Sequence, residues 1–361
     1  MPSEITRLVD ELVVQMESGS DRAYRQAMSR LAESARAGGP AALTAAVEAL
    51  APLLPALSGD LATTAVLVGA LVEWGGSPLA LAEVLPGRAA EAMRLNDSAA
   101  RLWAEAAPGR PLPEPVSASE EELLAVLARP AGRQGHPDEA DRSRIARSWF
   151  DLDDWLKAMI TVLGRREFRA AVPAGVKDDL RRDAAPLAGR SRLAAWVADL
   201  AAVLDDEPLI VLDPAARTGY ALTMSGVGDN FQLHILLADR LIGDPGRGLV
   251  AGKRPDRSWV DAATDAHPRL PAGNPAVRRF RLFDGHGGYV RPEGKPADIE
   301  PLDGTRVLVL HPPGGDYGMA TGRVFHDMPP ALVLDRILAA DEAESWFSRV
   351  APAVENGLGE R

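Results

Sequence analysis

The spacing of apolar residues changes near residue 205, and this change divides the chain into two parts. Before it, apolar residues recur every three or four positions, as in 21–37, which ends at Gly38-Gly39-Pro40. This spacing is typical of amphipathic helices. After it, short runs rich in β-branched and aliphatic residues, such as 208–213 (PLIVLD), predict strands. The sequence therefore predicts a two-part α+β protein.

The N-terminal part is predicted to be all-helical. Gly and Pro residues interrupt the helical spacing repeatedly, which favours paired helices stacked as in HEAT-like solenoids. No fixed repeat length is recognisable, so an irregular helical bundle fits the pattern equally well. Proline cannot continue a helix, and the Pro-rich segment 108–118 is therefore predicted to link helical regions 1–107 and 119–205. Ser119, followed three residues later by Glu122, forms a capping box that predicts the next helix start.

The C-terminal part, 206–361, is predicted to be a mixed, mainly antiparallel α+β domain, because its strands and helices do not alternate regularly. The predicted strands are 208–213, 219–225, 279–284, 287–291, 305–311 and 331–338, and the predicted helices are 231–241 and 341–350. Three long Pro/Gly-rich loops are expected at 243–258, 266–278 and 291–304. Loops of this length are often functional.

Composition narrows the class of protein. The chain has no cysteine, which excludes disulfides and thiolate chemistry. Its net charge of −11 argues against general nucleic-acid binding. The N-terminus lacks the basic and apolar order of a signal peptide, and the apolar stretch 61–74 is too short to span a bilayer. With its Ala- and Arg-rich composition, the chain is expected to be a cytoplasmic bacterial protein without a membrane span.

Basic residues concentrate between Arg247 and Arg281. This stretch contains eight basic and only three acidic residues, which gives it a local charge of +5. Arginine binds carboxylates and phosphates through two parallel hydrogen bonds, which lysine cannot reproduce. The residues assigned to partner or ligand binding are Arg254, Arg257, Arg278 and Arg279. Two alternatives remain open: these arginines hold the two parts of the chain together, or they are simply solvated.

Histidine is the remaining chemical signal, since five of the six lie in the C-terminal part. Imidazoles and carboxylates serve in acid–base catalysis and as metal ligands. The catalytic candidates are Asp229, His234, His286 and His311, and the metal-binding candidates are Asp284, His286, His311 and His326. No two histidines have the spacing of a ligand pair, so the fold would have to assemble any such site. Ordinary packing and turn roles are the alternative.

Two glycine-containing segments admit local explanations. The segment 225–231 (SGVGDNF) has Phe231 where a dinucleotide-binding loop needs a third glycine. It is interpreted as a turn in which Asp229 or Asn230 caps a helix, or as a loop that contacts a ligand.

The segment 284–288 (DGHGG) resembles a string in metal-dependent phosphatases of the PPM type. The later aspartate motifs of that family do not follow, so a hairpin turn between 279–284 and 287–291 is predicted instead.

In the helical part, Trp149 and Trp155 flank Asp151, Asp153 and Asp154. The tryptophans are interpreted as core anchors between helices, and the aspartates as caps for the second helix of a pair. A binding groove at this position is the alternative.

The function favoured by these patterns is binding. The chain is predicted to be a scaffold or accessory protein whose C-terminal domain engages a protein partner or an anionic ligand through its basic loops. The rival hypothesis is a metal-assisted or acid–base hydrolase with its site in the same domain. No cofactor is predicted for the binding function, and a divalent metal belongs only to the rival.

Overall fold

The computed structural model describes residues 3–115, 119–128, 137–265, 276–315, 318–319, 322, 325 and 327–354. The chain forms two compact units, Met1–Ala202 and Val203–Arg361. The first is helical and the second contains a mixed sheet, so the predicted two-part α+β fold is confirmed. The finer division of the helical part at 108–118 stays a prediction.

The first unit contains ten α-helices within its described residues. They are α1 (Glu4–Ser18), α2 (Asp21–Ala37), α3 (Gly39–Leu50), α4 (Thr63–Glu73), α5 (Leu85–Ala106), α6 (Glu120–Leu127), α7 (Glu139–Leu163), α8 (Arg166–Ala171), α9 (Ala174–Ala184) and α10 (Arg192–Ala201). Short 3₁₀ turns lie at Ala51–Ala56, Gly59–Ala62, Leu79–Leu81 and Ala185–Leu187.

Side-chain caps fix where several of these helices begin. Ser119 Oγ accepts a hydrogen bond from the amide of Glu122 at 3.0 Å, as the capping box predicts. Asp138 caps α7 in the same way through the amide of Asp141 at 2.8 Å. Such caps satisfy amides that have no partner inside the helix, so the starts of α6 and α7 follow from local sequence.

Helix α7 is the centre of the first unit. It packs against its sequence neighbour α6 and also against the more distant helices α4, α5 and α10. In a solenoid each repeat contacts only its neighbours, so this arrangement fits an irregular bundle better. Trp155 of α7 and Trp103 of α5 are fully buried. At Gly69 of α4, a Cβ atom would lie 3.2 Å from the Cα of Ala158, so glycine allows α4 and α7 to approach closely.

The second unit is built around one mixed sheet. Its strands are β1 (Glu207–Asp213), β2 (Thr218–Ser225), β3 (Ala276–Val277), β4 (Arg281–Asp284), β5 (Pro301–Leu302), β6 (Thr305–His311), β7 (Gly318–Met319) and β8 (Ala331–Ile337). Its helices are α11 (Asn230–Leu241), α12 (Arg257–Thr264) and α13 (Ala340–Phe347).

The strand order of the main sheet is β4-β6-β1-β2-β8, with β5 also paired to β6. Only β1 and β6 run parallel, and the other described pairs of this sheet are antiparallel, as predicted. Strands β3 and β7 form a separate two-stranded sheet. Strand β8 lies at one end of the main sheet, which leaves one of its edges without a neighbouring strand among the described residues.

Each face of the main sheet carries a helix. Residues of α11 such as Leu233 and Leu237 pack on one face, against Leu209, Leu222 and Leu308. The other face carries Ile210, Leu212 and Val309, which pack against α13. Successive residues of β1 point to opposite faces of the sheet, so its buried side chains pack alternately against the α11 side and the α13 side.

Several sequence predictions for the second unit need correction, and the predicted loop 291–304 contains β5. Residues 287–291 do not form a strand: Tyr289 makes only an isolated bridge with Phe283, because Gly287 and Gly288 form the tight turn that returns the chain to β4. The predicted loop 243–258 gives way at Arg257 to α12, which buries Trp259 and Val260.

By length and composition alone, the described segment Gly39–Ala56 is apolar enough to cross a membrane, and 33% of it is buried within the protein.

Candidate functional site

The predicted binding arginines lie in different environments, and Arg278 is the most enclosed. Its side chain is 8% exposed. Its guanidinium donates to the hydroxyl of Tyr289 at 3.0 Å and to the carbonyl of Pro313 at 2.6 Å. Arg278 therefore ties the segment before β4 to the loop after β6. In this position it serves the fold of the second unit, and its predicted contact with a partner stays a prediction.

Arg279 and Arg281 also contact their own unit. The guanidinium of Arg279 lies 5.8 Å from the ring centre of Trp259, a cation–π distance. Arg281 donates through Nε to the carbonyl of Pro312 at 3.2 Å. Together with Arg278, these residues fasten β4 and the chain before it to their surroundings. Arg269, which also belongs to the +5 segment, lies outside the described residues.

A second group of basic residues faces solvent. Arg247, Lys253, Arg254 and Arg257 are exposed, and they occur within one stretch that we call the basic segment, residues 247–257. Arg257 is 80% exposed and pairs with Asp261 at 2.8 Å. Arg254 is anchored by a hydrogen bond of 2.6 Å from its Nε to the carbonyl of Ile242.

The basic segment and the residues before it are held in place by backbone hydrogen bonds. The amide of Val250 donates to the carbonyl of Leu241, and the amide of Gly243 donates to the carbonyl of Val250. The hydroxyl of Tyr220 donates to the carbonyl of Gly248 at 3.0 Å. Burial, assisted by Asp213, raises the pKa of Tyr220 to about 12, so the phenol keeps its proton for this bond. The segment is therefore ordered before any partner arrives.

Ile337 of the edge strand β8 adjoins this segment. A Cβ atom at Gly248 would lie 3.0 Å from Cδ1 of Ile337, so the loop passes directly over the end of β8. Ile337 and Val333 are both exposed, with Val333 at 52%. Ile337 pairs with Tyr220 and lies on the face of the sheet that the basic segment covers, whereas Val333 pairs with Thr223 and points to the opposite face.

Asp229 and His234 both belong to α11 but have different surroundings. Asp229 is the helix cap, because its Oδ1 accepts from the amide of Gln232 at 2.8 Å. Burial raises its pKa, against the lowering effect of the backbone hydrogen bonds from Gln232 and Phe231. The capping interpretation of 225–231 is therefore confirmed.

His234 lies inside the second unit and is 2% exposed. Neither ring nitrogen has a hydrogen-bond partner among the described residues. Burial, together with the nearby charge of Arg278, lowers its pKa to about 3, so the imidazole is neutral near pH 7. A general base must reach its substrate. In this structure His234 is enclosed, and its catalytic role stays a prediction.

Asp284 and His286 belong to the turn after β4. Oδ1 of Asp284 accepts from the amides of His286 and Gly288 at 2.9 and 2.8 Å, which is the turn that the sequence predicts. Gly287 has φ +82°, and a Cβ atom there would lie 2.2 Å from the carbonyl oxygen of Pro352. The glycine pattern of 284–288 is thus explained by the local backbone.

His311 lies at the other end of the same strand pair. It stands opposite Arg281, whereas Asp284 stands opposite Leu308, three residues or about 10 Å away along the ladder. The ring of His311 contacts Phe283, with 4.7 Å between the ring centres. His326 lies outside the described residues.

Within the described ranges, no three His, Asp or Glu side chains are grouped closely enough to hold a metal ion. The structure places Asp284 beside His286 but does not gather them with His311. The four candidate catalytic residues are likewise distributed over α11, the turn after β4 and the end of β6. The metal site and the hydrolase stay hypotheses from the sequence.

One buried carboxyl in the helical unit was misinterpreted from the sequence. The sequence predicts that Asp151 caps a second helix, but α7 runs without a break from Glu139 to Leu163. Asp151 therefore lies in the middle of a helix, where it is 5% exposed. An aspartate between two tryptophans was the available signal. It did not indicate that the residue which binds Asp151 is Gly59, 92 positions earlier.

Comparison of the chain with protein-family models, with curated proteins and with solved structures gives no match.

Proposed function

We propose that this chain is a binding protein, and that the basic segment of its second unit engages an acidic surface of a protein partner. The observation that carries the proposal is the arrangement of Arg247, Lys253, Arg254 and Arg257, four exposed basic side chains on one anchored stretch of backbone. The chain as a whole has a net charge of −11, so this local excess of positive charge attracts anionic surfaces to one place on the protein.

Order in the basic segment supports binding because it reduces the entropy that association costs. The backbone bonds of Gly243 and Val250 and the anchored side chain of Arg254 fix the loop in the free protein. A flexible loop would lose this conformational freedom on binding. The segment therefore presents its charges in a fixed arrangement.

The neighbouring apolar side chain of Ile337 favours a protein over a small anion. Protein interfaces combine an apolar centre with a polar rim. Ile337 supplies exposed apolar area beside the basic segment. A small anion would use the charges but not this strand edge, so the combined surface fits a partner with both acidic and apolar side chains.

Fluorescence anisotropy tests the proposal with two labelled peptides, one of alternating Glu and Leu and one of alternating Ser and Leu. The parent should bind the acidic peptide, and its affinity should fall as salt rises. The double variant Arg247→Glu, Lys253→Glu should bind at least about tenfold more weakly, because two attractive charges become repulsive.

The matched control is Arg7→Glu, Arg22→Glu, which reverses two exposed charges in the first unit. It should leave the affinity unchanged. Equal binding of the acidic peptide by both double variants would overturn the proposal. Binding of citrate or phosphate at the basic segment without binding of the peptide would instead support the anionic-ligand alternative.

A further inference from the structure

Four carboxylates are among the nine residues that line a cavity of about 490 Å³ in the first unit. It lies between the 3₁₀ turn Gly59–Ala62, the start of α6 and the middle of α7. Asp60, Glu120, Asp151 and Asp154 line it, together with Arg147 and Phe150. Four carboxyl groups thus face one guanidinium, and Arg147 itself lies 3.3 Å from Glu120. The cavity is therefore anionic.

Asp151 is the most enclosed of these carboxyl groups. It is 95% buried by surface area yet lines the cavity wall, and its Oδ2 accepts from the amide of Gly59 at 2.9 Å. Burial raises the pKa of Asp151 to about 6 and also raises the pKa of Asp154. A carboxylate that has lost water in this way gains most from a cation that restores its missing interactions.

A second cavity, of about 230 Å³, meets the first at Ser58 and Asp151. Its wall contains Arg88, whose guanidinium donates to the carbonyl of Leu57 at 2.8 Å and lies 4.6 Å from the ring centre of Trp155. Arg88 is itself paired with Glu91, another residue of this wall. Asp151 thus separates the anionic first cavity from a wall in which positive and negative side chains are paired.

The distribution of the carboxylates distinguishes an organic cation from a metal ion. A metal ion needs several ligand atoms around one point. No group of three His, Asp or Glu in the described part of the chain meets that requirement, and the acids of this cavity are spread over its walls. Several positive charges on an extended molecule can each meet a different carboxylate. Phe150 adds an aromatic surface, which suits methylene groups and ammonium ions.

We propose that this cavity binds a small linear polyamine, with one ammonium group at Asp151 and the others at Asp154 and the acids of the cavity mouth, Asp60 and Glu120. This site is independent of the basic segment, and it has the opposite charge.

Isothermal titration calorimetry of the whole protein with spermidine tests the proposal at pH 7.5 and low salt. The parent should bind spermidine saturably. Asp151→Asn and Asp154→Asn should each weaken binding at least about tenfold, since each removes one ionic contact and keeps the side-chain size. Asp153→Asn is the matched control, because Asp153 is exposed on the same helix and does not line the cavity. It should change the affinity less than about twofold.

The pH dependence of spermidine binding distinguishes a site at Asp151 from nonspecific attraction to the acidic surface of the protein. Lowering the pH from 7.5 to 5 protonates Asp151, whose pKa is about 6, so spermidine should bind the parent progressively more weakly. Asp151→Asn should show a smaller change over the same range.

Three results would overturn the proposal. The first is no saturable heat from spermidine with the parent. The second is an equal loss of affinity in Asp153→Asn and Asp151→Asn. The third is displacement of spermidine by Mg²⁺ under conditions in which Na⁺ at the same ionic strength displaces none. That result would indicate a metal site instead.

Discussion

Arg278 in the second unit and Asp151 in the first are both charged and both buried, but their surroundings differ. Arg278 donates to Tyr289 and Pro313 and thereby joins two segments of its own unit. Asp151 accepts a backbone hydrogen bond from Gly59, lies near the charge of Arg88 and lines a cavity. A buried charge used within the fold stabilises structure, whereas one that faces a cavity is available to a ligand. The difference teaches that burial alone does not identify a binding residue.

The largest expected effect is on stability, in Arg278→Met. The methionine keeps much of the apolar stem but leaves the Tyr289 hydroxyl and the Pro313 carbonyl without their donor. Loss of buried hydrogen bonds to a charged group should lower the free energy of unfolding by about 3 kcal/mol. Urea denaturation measures this. Arg257→Met is the control, because Arg257 is 80% exposed and its ion pair contributes about 0.5 kcal/mol or less. Similar losses in both variants would contradict the structural role of Arg278.

The second prediction concerns the pH dependence of stability at Asp151. Its pKa is about 6 in the folded protein against an ordinary 3.8, so folding favours the protonated form. The resulting stability is present below about pH 4 and is lost as pH rises through 6. From pH 4 to pH 7, Asp151→Asn should therefore gain about 2 kcal/mol relative to the parent.

Thermal or urea unfolding at pH 4, 5, 6 and 7 provides the measurement. Asp153→Asn, in which an exposed carboxyl is removed, should follow the parent across the range. If Asp151→Asn and the parent lose stability in parallel, the carboxyl of Asp151 is not buried as the structure shows.

The smallest expected effect is that of Arg254, whose surroundings are intermediate between those of the buried Arg278 and the exposed Arg257. Its side chain is exposed, but its Nε bonds the carbonyl of Ile242. Arg254→Ala should lower the unfolding free energy by about 1 kcal/mol, the usual contribution of one hydrogen bond. Arg254→Lys should recover only part of this loss, because lysine cannot reproduce the donor geometry. Full recovery by lysine would mean that charge alone matters there.

Local features of this fold are readable in the sequence, and long-range features are not. Ser119 predicts the start of α6, because a helix cap acts within a few residues. The run 305–311 predicts β6 to the residue, since its apolar pattern suits a buried strand. These predictions use only neighbouring positions.

The environments of charged residues depend on contacts between distant segments. Arg278 finds its carbonyl partner 35 residues later, and Asp151 finds its amide partner 92 residues earlier. Local charge therefore predicted Arg278 and Arg257 to act alike, although one is buried and the other exposed. For the same reason the sequence pattern predicts a cap at Asp151, which lies in the middle of α7.

Hydrogen exchange of the whole protein, measured with each ligand in turn, tests most directly that two oppositely charged sites lie in different units. The acidic Glu-Leu peptide should slow exchange in 243–258 and at β8, and leave the amide of Gly59 unchanged. Spermidine should slow exchange at Gly59 and leave 243–258 unchanged. Protection of the same amides by both ligands, or protection by neither, would contradict the account.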